Sequence, residues 1–268
     1  MNSEQRELWN RLWEERQHED WDPVSQQIYE TIINECGNLY GKNVLETGSG
    51  SGRISLRLAE SGANVIMVDF SEEAIRQSQA SFQKRFQAGR FFVADMMKLS
   101  LEDNSVDLAW NAGVLEHYSE EEQIQALAEL SRVTCNGGKI ISINPYGSCL
   151  PYRLGKFYAE QAGTWPYGIE NPVYSLQPVC RQAGLKLIKE YSIAPWEALN
   201  FLDFIPGSET LKALISAFCN SIGADELKAL PGYLLVSVID VEKKAPTKSS
   251  AKLKSWFRML GSSGVQNG

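Results

Sequence analysis

Residues 44–52 read Val-Leu-Glu-Thr-Gly-Ser-Gly-Ser-Gly: an acid, Glu46, then Gly48, Gly50 and Gly52 alternating with small residues such as Ser49. An apolar run leads into the stretch, and Ile54, Leu56, Leu58 and Ala59 follow among polar residues. This order predicts a strand, a tight loop and a helix whose N-terminus faces a ligand, because glycine permits unusual backbone angles and close approach of a ligand to the backbone. A dinucleotide loop calls for G-x-G-x-x-G. Counted from Gly48, the last position is Arg53; counted from Gly50, it is Ser55. The register therefore disfavours a nicotinamide cofactor. Asp69 ends the next apolar run, and its two oxygens can accept both hydroxyl hydrogens of a ribose. Its competing role is to cap a helix at the strand end. His117 is a candidate general base, since an unperturbed imidazole titrates at about 6.5. Its competing role is to cap or pack the short helix after the fourth strand. Glu116 beside it reads as a solvated acid, and Tyr146 is a second substrate-facing candidate.

The elements that must position these groups alternate regularly. Strands are expected at Asn43–Thr47, Asn64–Asp69, Arg90–Ala94, Val106–Trp110 and Lys139–Ile143. Helices are expected at Gly52–Ser61, from Ser71 toward Gln87, and at Glu120–Val133, with Asn136-Gly137-Gly138 as a turn before the fifth strand. Ser71 is followed three residues on by Ala74 rather than Glu, which predicts a simple cap. Repeated βα units predict an α/β fold with a parallel sheet and helices on both faces. Pro145–Pro172 is rich in aromatics (Tyr146, Tyr152, Phe157, Tyr158, Trp165, Tyr167) and reads as an irregular insertion over the open edge of the sheet. Val173–Ala183 reads as helix, Leu185–Ile193 and Tyr233–Val241 as final strands, with a largely helical stretch between them. Residues 3–35 read as two helical segments carrying Trp9, Trp13 and Trp21. These indoles either pack on the main domain or form a lid.

The loop fits E-x-G-x-G-x-G, which resembles motif I of the class I S-adenosylmethionine-dependent methyltransferases. Phe92-Val93-Ala94-Asp95-Met96 resembles the position where that family places an Asp on the adenine amino group. Ser105-Val106-Asp107-Leu108, leading into Val114-Leu115-Glu116-His117-Tyr118, resembles motif IV of its small-molecule and quinone branch. Leu130–Lys139 resembles the family's helix and Gly-Gly turn. The likeness covers residues 40–145. It implies a Rossmann-like, doubly wound, seven-stranded and mostly parallel sheet with an antiparallel edge hairpin strand. It also implies S-adenosyl-L-methionine as cofactor and methyl transfer to an aromatic, quinone-like or natural-product small molecule. By the same resemblance, Glu46, Gly48, Ser49, Gly50 and Gly52 hold the methionine portion. Asp69 takes the ribose, Asp95 the adenine, Phe70 and Met96 touch the base, and Asn111 sits near the sulfonium. Asn144-Pro145-Tyr146 follows the fifth strand, whereas the Asn-Pro-Pro-Tyr of amino-directed DNA and protein methyltransferases follows the fourth. A non-catalytic S-adenosylmethionine-binding sensor or scaffold is the second reading, and a nicotinamide-dependent oxidoreductase the third. The chemistry requires no metal, and no ligand cluster is visible in the sequence.

With 268 residues, 43% hydrophobic and 22% charged, the chain has room for one large α/β domain with insertions. The expected organisation is an N-terminal helical lid at 1–38 and a cofactor-binding domain at 39–242. Substrate caps are expected at 146–172 and 195–230, and a basic tail at 243–268. A net charge of −7 disfavours nucleic acid as a partner. Five scattered cysteines without a C-x-x-C suit a reducing compartment. Met1–Arg16 shows no apolar signal core, and no run approaches the roughly 20 apolar residues of a membrane span. A cytoplasmic protein is therefore expected. Leu253, Trp256, Phe257 and Leu260 among lysines suggest a membrane-surface or partner contact through 252–260.

Overall fold

Strand alternation sends neighbouring side chains to opposite faces, and here both faces are apolar. The computed structural model describes residues 3–15 and 21–243. His18 and the expected basic tail beyond Lys243, with its apolar face at 252–260, lie outside them.

The chain opens with α1 (Ser3–Glu15) and α2 (Pro23–Cys36). Asp22 caps α2 by accepting from the Ser25 N–H, and Pro23 fits the first turn, where no N–H is needed. Then come β1 (Asn43–Thr47), α3 (Arg53–Glu60), β2 (Asn64–Asp69), α4 (Glu72–Lys84), β3 (Arg90–Val93) and β4 (Val106–Ala112). A 3-10 turn at Leu115–His117 leads to α5 (Glu120–Val133), β5 (Thr134–Pro145), α6 (Leu150–Gln161), α7 (Gln177–Gln182) and β6 (Lys186–Ile193). After a 3-10 segment at Glu197–Phe204 come α8 (Glu209–Ser221), α9 (Ala224–Ala229) and β7 (Leu234–Asp240).

The seven strands run in the order β3-β2-β1-β4-β5-β7-β6. Only β7 is reversed, antiparallel to both β5 and β6. Leu45, Ile66, Val68, Ala109 and Ile140 pack under α5 and α7. Val44, Val65, Met67, Leu108, Trp110 and Ile141 pack under α2, α3 and α4 on the other face. A sheet buried on both sides explains why its central strands read as continuous apolar runs. Strand order reverses between β1 and β4, so the crevice beyond their carboxyl ends is the topological switch point where open α/β sheets bind ligands. Among the described residues, no helix is long and apolar enough to cross a membrane.

Four local expectations change. β4 continues to Ala112, and β5 runs from Thr134 to Pro145, both longer than their apolar runs suggest. The Asn136-Gly137-Gly138 turn is a bulge within β5: Val106 pairs with Thr134 but Leu108 with Lys139. The insertion after β5 is not irregular throughout, since α6 forms there with Pro151 in its first turn and Tyr152, Gly155, Lys156 and Ala159 buried on one face. The expected helix over 173–183 shrinks to α7. Its first residues are held otherwise, with Ser175 Oγ and Leu176 N both donating to the Glu190 carboxylate.

Candidate active site

The glycine loop closes the carboxyl end of β1. Gly48 and Ser49 donate their N–H groups to Val68 O, and Gly52 N donates to Ser49 O, at 2.8–3.2 Å. Gly50 N donates to Asp69 Oδ2 at 2.9 Å. These N–H groups are therefore committed within the fold. The loop offers a ligand close approach and acceptor oxygens, while the glycines satisfy geometry. Gly48 has φ +66°, and an added Cβ would lie 2.4 Å from Val114 Cγ2. Gly50 has φ +50°, and its Cβ would lie 2.4 Å from the Trp13 ring. Gly52 sits at the start of α3 against Ser78 and Met67 rather than on the cavity wall.

Beyond the loop lies a cavity of about 280 Å³. Glu46, Gly48, Ser49, Gly50, Asp69, Phe70, Met96 and His117 all line it, so residues spread over more than seventy positions of sequence converge on one space. Asp69 is buried at the end of β2. Its Oδ1 accepts from Ser71 N and its Oδ2 from Gly50 N, each at 2.9 Å. One lone pair on each oxygen is left for the cavity, the arrangement that matches two vicinal hydroxyls. Burial pushes its pKa up to about 6, against the pull of those N–H groups. Glu46 is buried as well, and its Oε2 has no hydrogen-bond partner among the described residues. Burial, with the Asp69 charge adding to it, lifts Glu46 to about 8, opposed by Ser55 and Arg53.

Asp95, Asn111 and Tyr146 do not line this cavity. Asp95 Oδ1 accepts from Met97 N at 2.9 Å, and its neighbours Ala94 and Met96 form the wall. Asn111 lies inside the sheet because β4 extends past it. It pairs with Ser142 in β5 and accepts from Ser142 Oγ at 2.7 Å, leaving Ala112 and Gly113 at the cavity. Tyr146 follows the lengthened β5 and bridges to Val173. It borders a separate small hollow with Tyr174 and Glu190.

His117 stands on the 3-10 turn after β4, which Gln123 ties down by donating to Leu115 O at 2.8 Å and Tyr118 O at 3.3 Å. Its Nδ1 lies 3.0 Å from Ile169 O. A carbonyl only accepts, so Nδ1 carries the hydrogen and Nε2 keeps its lone pair. Burial lowers the His117 pKa, which keeps the ring neutral near pH 7. Glu116 departs from the sequence reading: it is 2% exposed and lines the cavity, with Oε1 3.8 Å from His117 Nε2 and Oε2 unpartnered among the described residues. The far wall adds Trp165, Tyr167, Glu170 and Tyr233. Trp165 and Tyr167 stood out in the sequence as part of an aromatic-rich insertion, but no spacing signal links Glu170 or Tyr233 to Glu116.

The N-terminal indoles divide between packing and the cavity wall. Trp21 packs on the main domain, with Arg57 4.1 Å from its ring centroid. Trp9 and Trp13 line the cavity. Trp9 meets His117 edge-on at 5.0 Å between ring centroids. Ser71 Oγ donates to Asn10 Oδ1 at 2.6 Å, and Gln77 Nε2 to Trp13 O, which holds α1 against α4.

Residues 44–138 match a family model described as "Methyltransferase domain". Phosphoethanolamine N-methyltransferase of Triticum aestivum is 28% identical over 152 residues, covering 51% of this chain and 29% of that protein. Demethylmenaquinone methyltransferase of Renibacterium salmoninarum is 30% identical over 110 residues, covering 41% and 44%. The chain thus spans less than half the length of either relative. Among solved structures, geranyl diphosphate methyltransferase in complex with S-adenosylmethionine aligns with a TM-score of 0.58 and 16% identity, covering 81% of this chain and 85% of that one. That likeness speaks for the fold. Residues 44–138 are thus similar to a methyltransferase domain, and the strand order and the solved neighbour give the chain a Rossmann-like methyltransferase fold.

Proposed function

We propose that this chain transfers the methyl group of S-adenosylmethionine to a small-molecule acceptor held in the same cavity. The observation that carries the reading is the buried Asp69 carboxylate, fixed by two backbone N–H groups and open to the cavity with one lone pair per oxygen. The acceptor-rich chemistry around it fits the cofactor. S-adenosylmethionine brings a ribose diol, an ammonium and a sulfonium, and the site answers with the Asp69 and Glu46 carboxyls and the glycine loop. When bound, the cofactor supplies a methyl group already activated on positively charged sulfur.

The chain's own residues bind, orient and exclude water. Asp69 takes the ribose, Phe70 and Met96 flank the base, and Glu46 with Gly48, Ser49 and Gly50 takes the methionine portion, while Gly52 shapes the turn into α3. Asp95 and Asn111 act by positioning, Asp95 through the turn at Met97 and Asn111 by fixing the end of β4 to Ser142. Trp9 and Trp13 on α1 form a lid whose indoles keep water from the reacting atoms. His117, neutral and with Nε2 unprotonated, accepts a proton from the acceptor where the nucleophile arrives protonated. Residues 146–172 and 195–230 cap the acceptor end. Tyr146 takes no direct part and supports the wall from behind.

Calorimetric titration tests the reading, with S-adenosylmethionine, S-adenosylhomocysteine and NAD as ligands. Tight binding of the two sulfur compounds and none of NAD is expected. Binding of NAD with neither sulfur compound would overturn it.

A further inference from the structure

Two acidic side chains, Glu116 and Glu170, line the acceptor end of the cavity, and among the described residues neither forms an ion pair with a lysine or arginine. The segment carrying Glu170 is laced to the turn carrying Glu116: Asn171 N donates to Glu116 O at 2.6 Å, Asn171 Nδ2 to Tyr118 O at 3.3 Å, and His117 Nδ1 to Ile169 O at 3.0 Å. This lacing brings both acids to one wall. Glu170 Oε2 accepts from Tyr152 Oη at 2.6 Å. Glu116 Oε2 is buried and has no hydrogen-bond partner among the described residues. The nearest basic atom is Nε2 of the neutral His117, at 3.8 Å. Lys156, whose charge favours an ionised Glu170, is itself bound by Glu160 and stands over the Trp165 ring at 5.2 Å. Trp9, Trp165, Tyr167 and Tyr233 enclose the remaining space.

A buried carboxylate left unpaired is costly, and two in one field cost more. Aromatic faces and carboxylates together are the chemistry that desolvates and holds an ammonium group. We infer that the acceptor is an amine, bound as its ammonium ion between Glu116 and Glu170 inside the aromatic wall. This inference rests on the proposed methyl transfer and names its acceptor class. Burial and the Glu170 charge hold the Glu116 carboxyl well above the ordinary range, and a cation between the two acids reverses the second effect and offsets the first. Before reaction, one N–H bond of the ammonium breaks and its proton goes to His117 Nε2. The lone pair left on nitrogen forms the new N–C bond as the C–S bond breaks. That bond's electron pair stays on sulfur, leaving a neutral thioether and a methylated ammonium.

The test uses matched probes on the whole chain, with and without saturating S-adenosylhomocysteine: 2-phenylethylamine, 2-phenylethanol and 3-phenylpropionate. The amine should bind about tenfold or more tightly than the alcohol, and the carboxylate weakest of all. Glu116→Gln together with Glu170→Gln should erase the preference while leaving S-adenosylhomocysteine affinity within about twofold. Glu116→Gln alone exchanges a buried carboxyl whose ionisation is disfavoured for a neutral amide of similar size, so the fold should melt at the same temperature or higher, which keeps the comparison interpretable. Equal binding of amine and alcohol overturns the inference. So does an amine that fails to bind at about 10 mM, or a preference that survives in the double variant. Loss of S-adenosylhomocysteine binding in the unaltered chain would instead overturn the cofactor reading, while the amine preference of the free chain is measured independently of it.

Discussion

Replacing Asp69 by Asn keeps the size of the side chain and changes one carboxylate oxygen into an amide NH2. In the present structure each oxygen accepts one backbone N–H and keeps one lone pair toward the cavity. The substitution removes the charge and turns one acceptor into a donor, facing either a ribose hydroxyl or a backbone N–H. Loss of a charge-assisted hydrogen bond costs about 1.5–3 kcal/mol, so affinity for S-adenosylhomocysteine should fall roughly 10- to 150-fold. The pH dependence supplies a second magnitude. Burial raises the Asp69 pKa to about 6. The ionised form that accepts both hydroxyls is therefore complete only above that value and is lost as pH falls through it. Wild-type affinity should drop about tenfold between its plateau and pH 5, while Asp69→Asn should be flat over the same range. Calorimetry from pH 5 to 8 reads both effects. A 2′,3′-dideoxy analogue separates ribose binding from loop integrity: the wild type should discriminate strongly against it and the variant hardly at all. Undiminished affinity in the variant, or a wild type indifferent to pH between 5 and 7, would refute the ribose role.

Glu46→Gln should remove a pH-dependent cost. The unfolded carboxyl ionises near 4.5 while the folded one keeps its proton to about 8, so wild-type stability declines as pH rises through that window. The variant's advantage in unfolding free energy should grow from pH 5 to 8 by an amount on the order of 3 kcal/mol, read by denaturant titration, and a constant difference argues against a buried neutral acid. Gly50→Ala should weaken cofactor binding about tenfold or more, because it combines an unfavourable φ of +50° with a Cβ driven into the Trp13 ring. Binding unchanged in that variant would show that α1 yields freely. Gly155→Ala should lower the melting temperature, since its Cβ would lie 2.0 Å from Phe201 O, a backbone atom that cannot swing aside. An unaltered melt would mean that α6 and the Glu197–Phe204 segment separate without cost.

The strand-loop-helix unit was legible because it depends on local chemistry. Apolar runs of strand length, glycines where positive φ is required, and the acids Glu46 and Asp69 at the ends of β1 and β2 are written within a few residues of one another. β1 and β2 fall where the apolar runs predict, and Glu46, Asp69, Phe70, Met96 and His117 all meet at the cavity. Strand ends were less legible, because a strand continues for as long as a neighbour offers pairing rather than where the apolar run stops. β4 and β5 extend each other by about two residues, and that shared extension takes Asn111 into the sheet and carries Tyr146 past the site.

The sequence alone therefore determined the fold class and the glycine-loop wall of the cavity, since both follow from periodicity and turn chemistry over short distances. The tertiary structure alone decided which distant residues complete the cavity. Trp9 and Trp13 reach Gly50 and His117 only because α1 docks on α4. Glu116 and Glu170, more than fifty residues apart, share a field only because three hydrogen bonds lace their segments together. Burial then turns an acid that reads as solvated into a buried carboxyl whose ionisation is disfavoured, a property set by the surroundings of a side chain rather than by its place in the sequence.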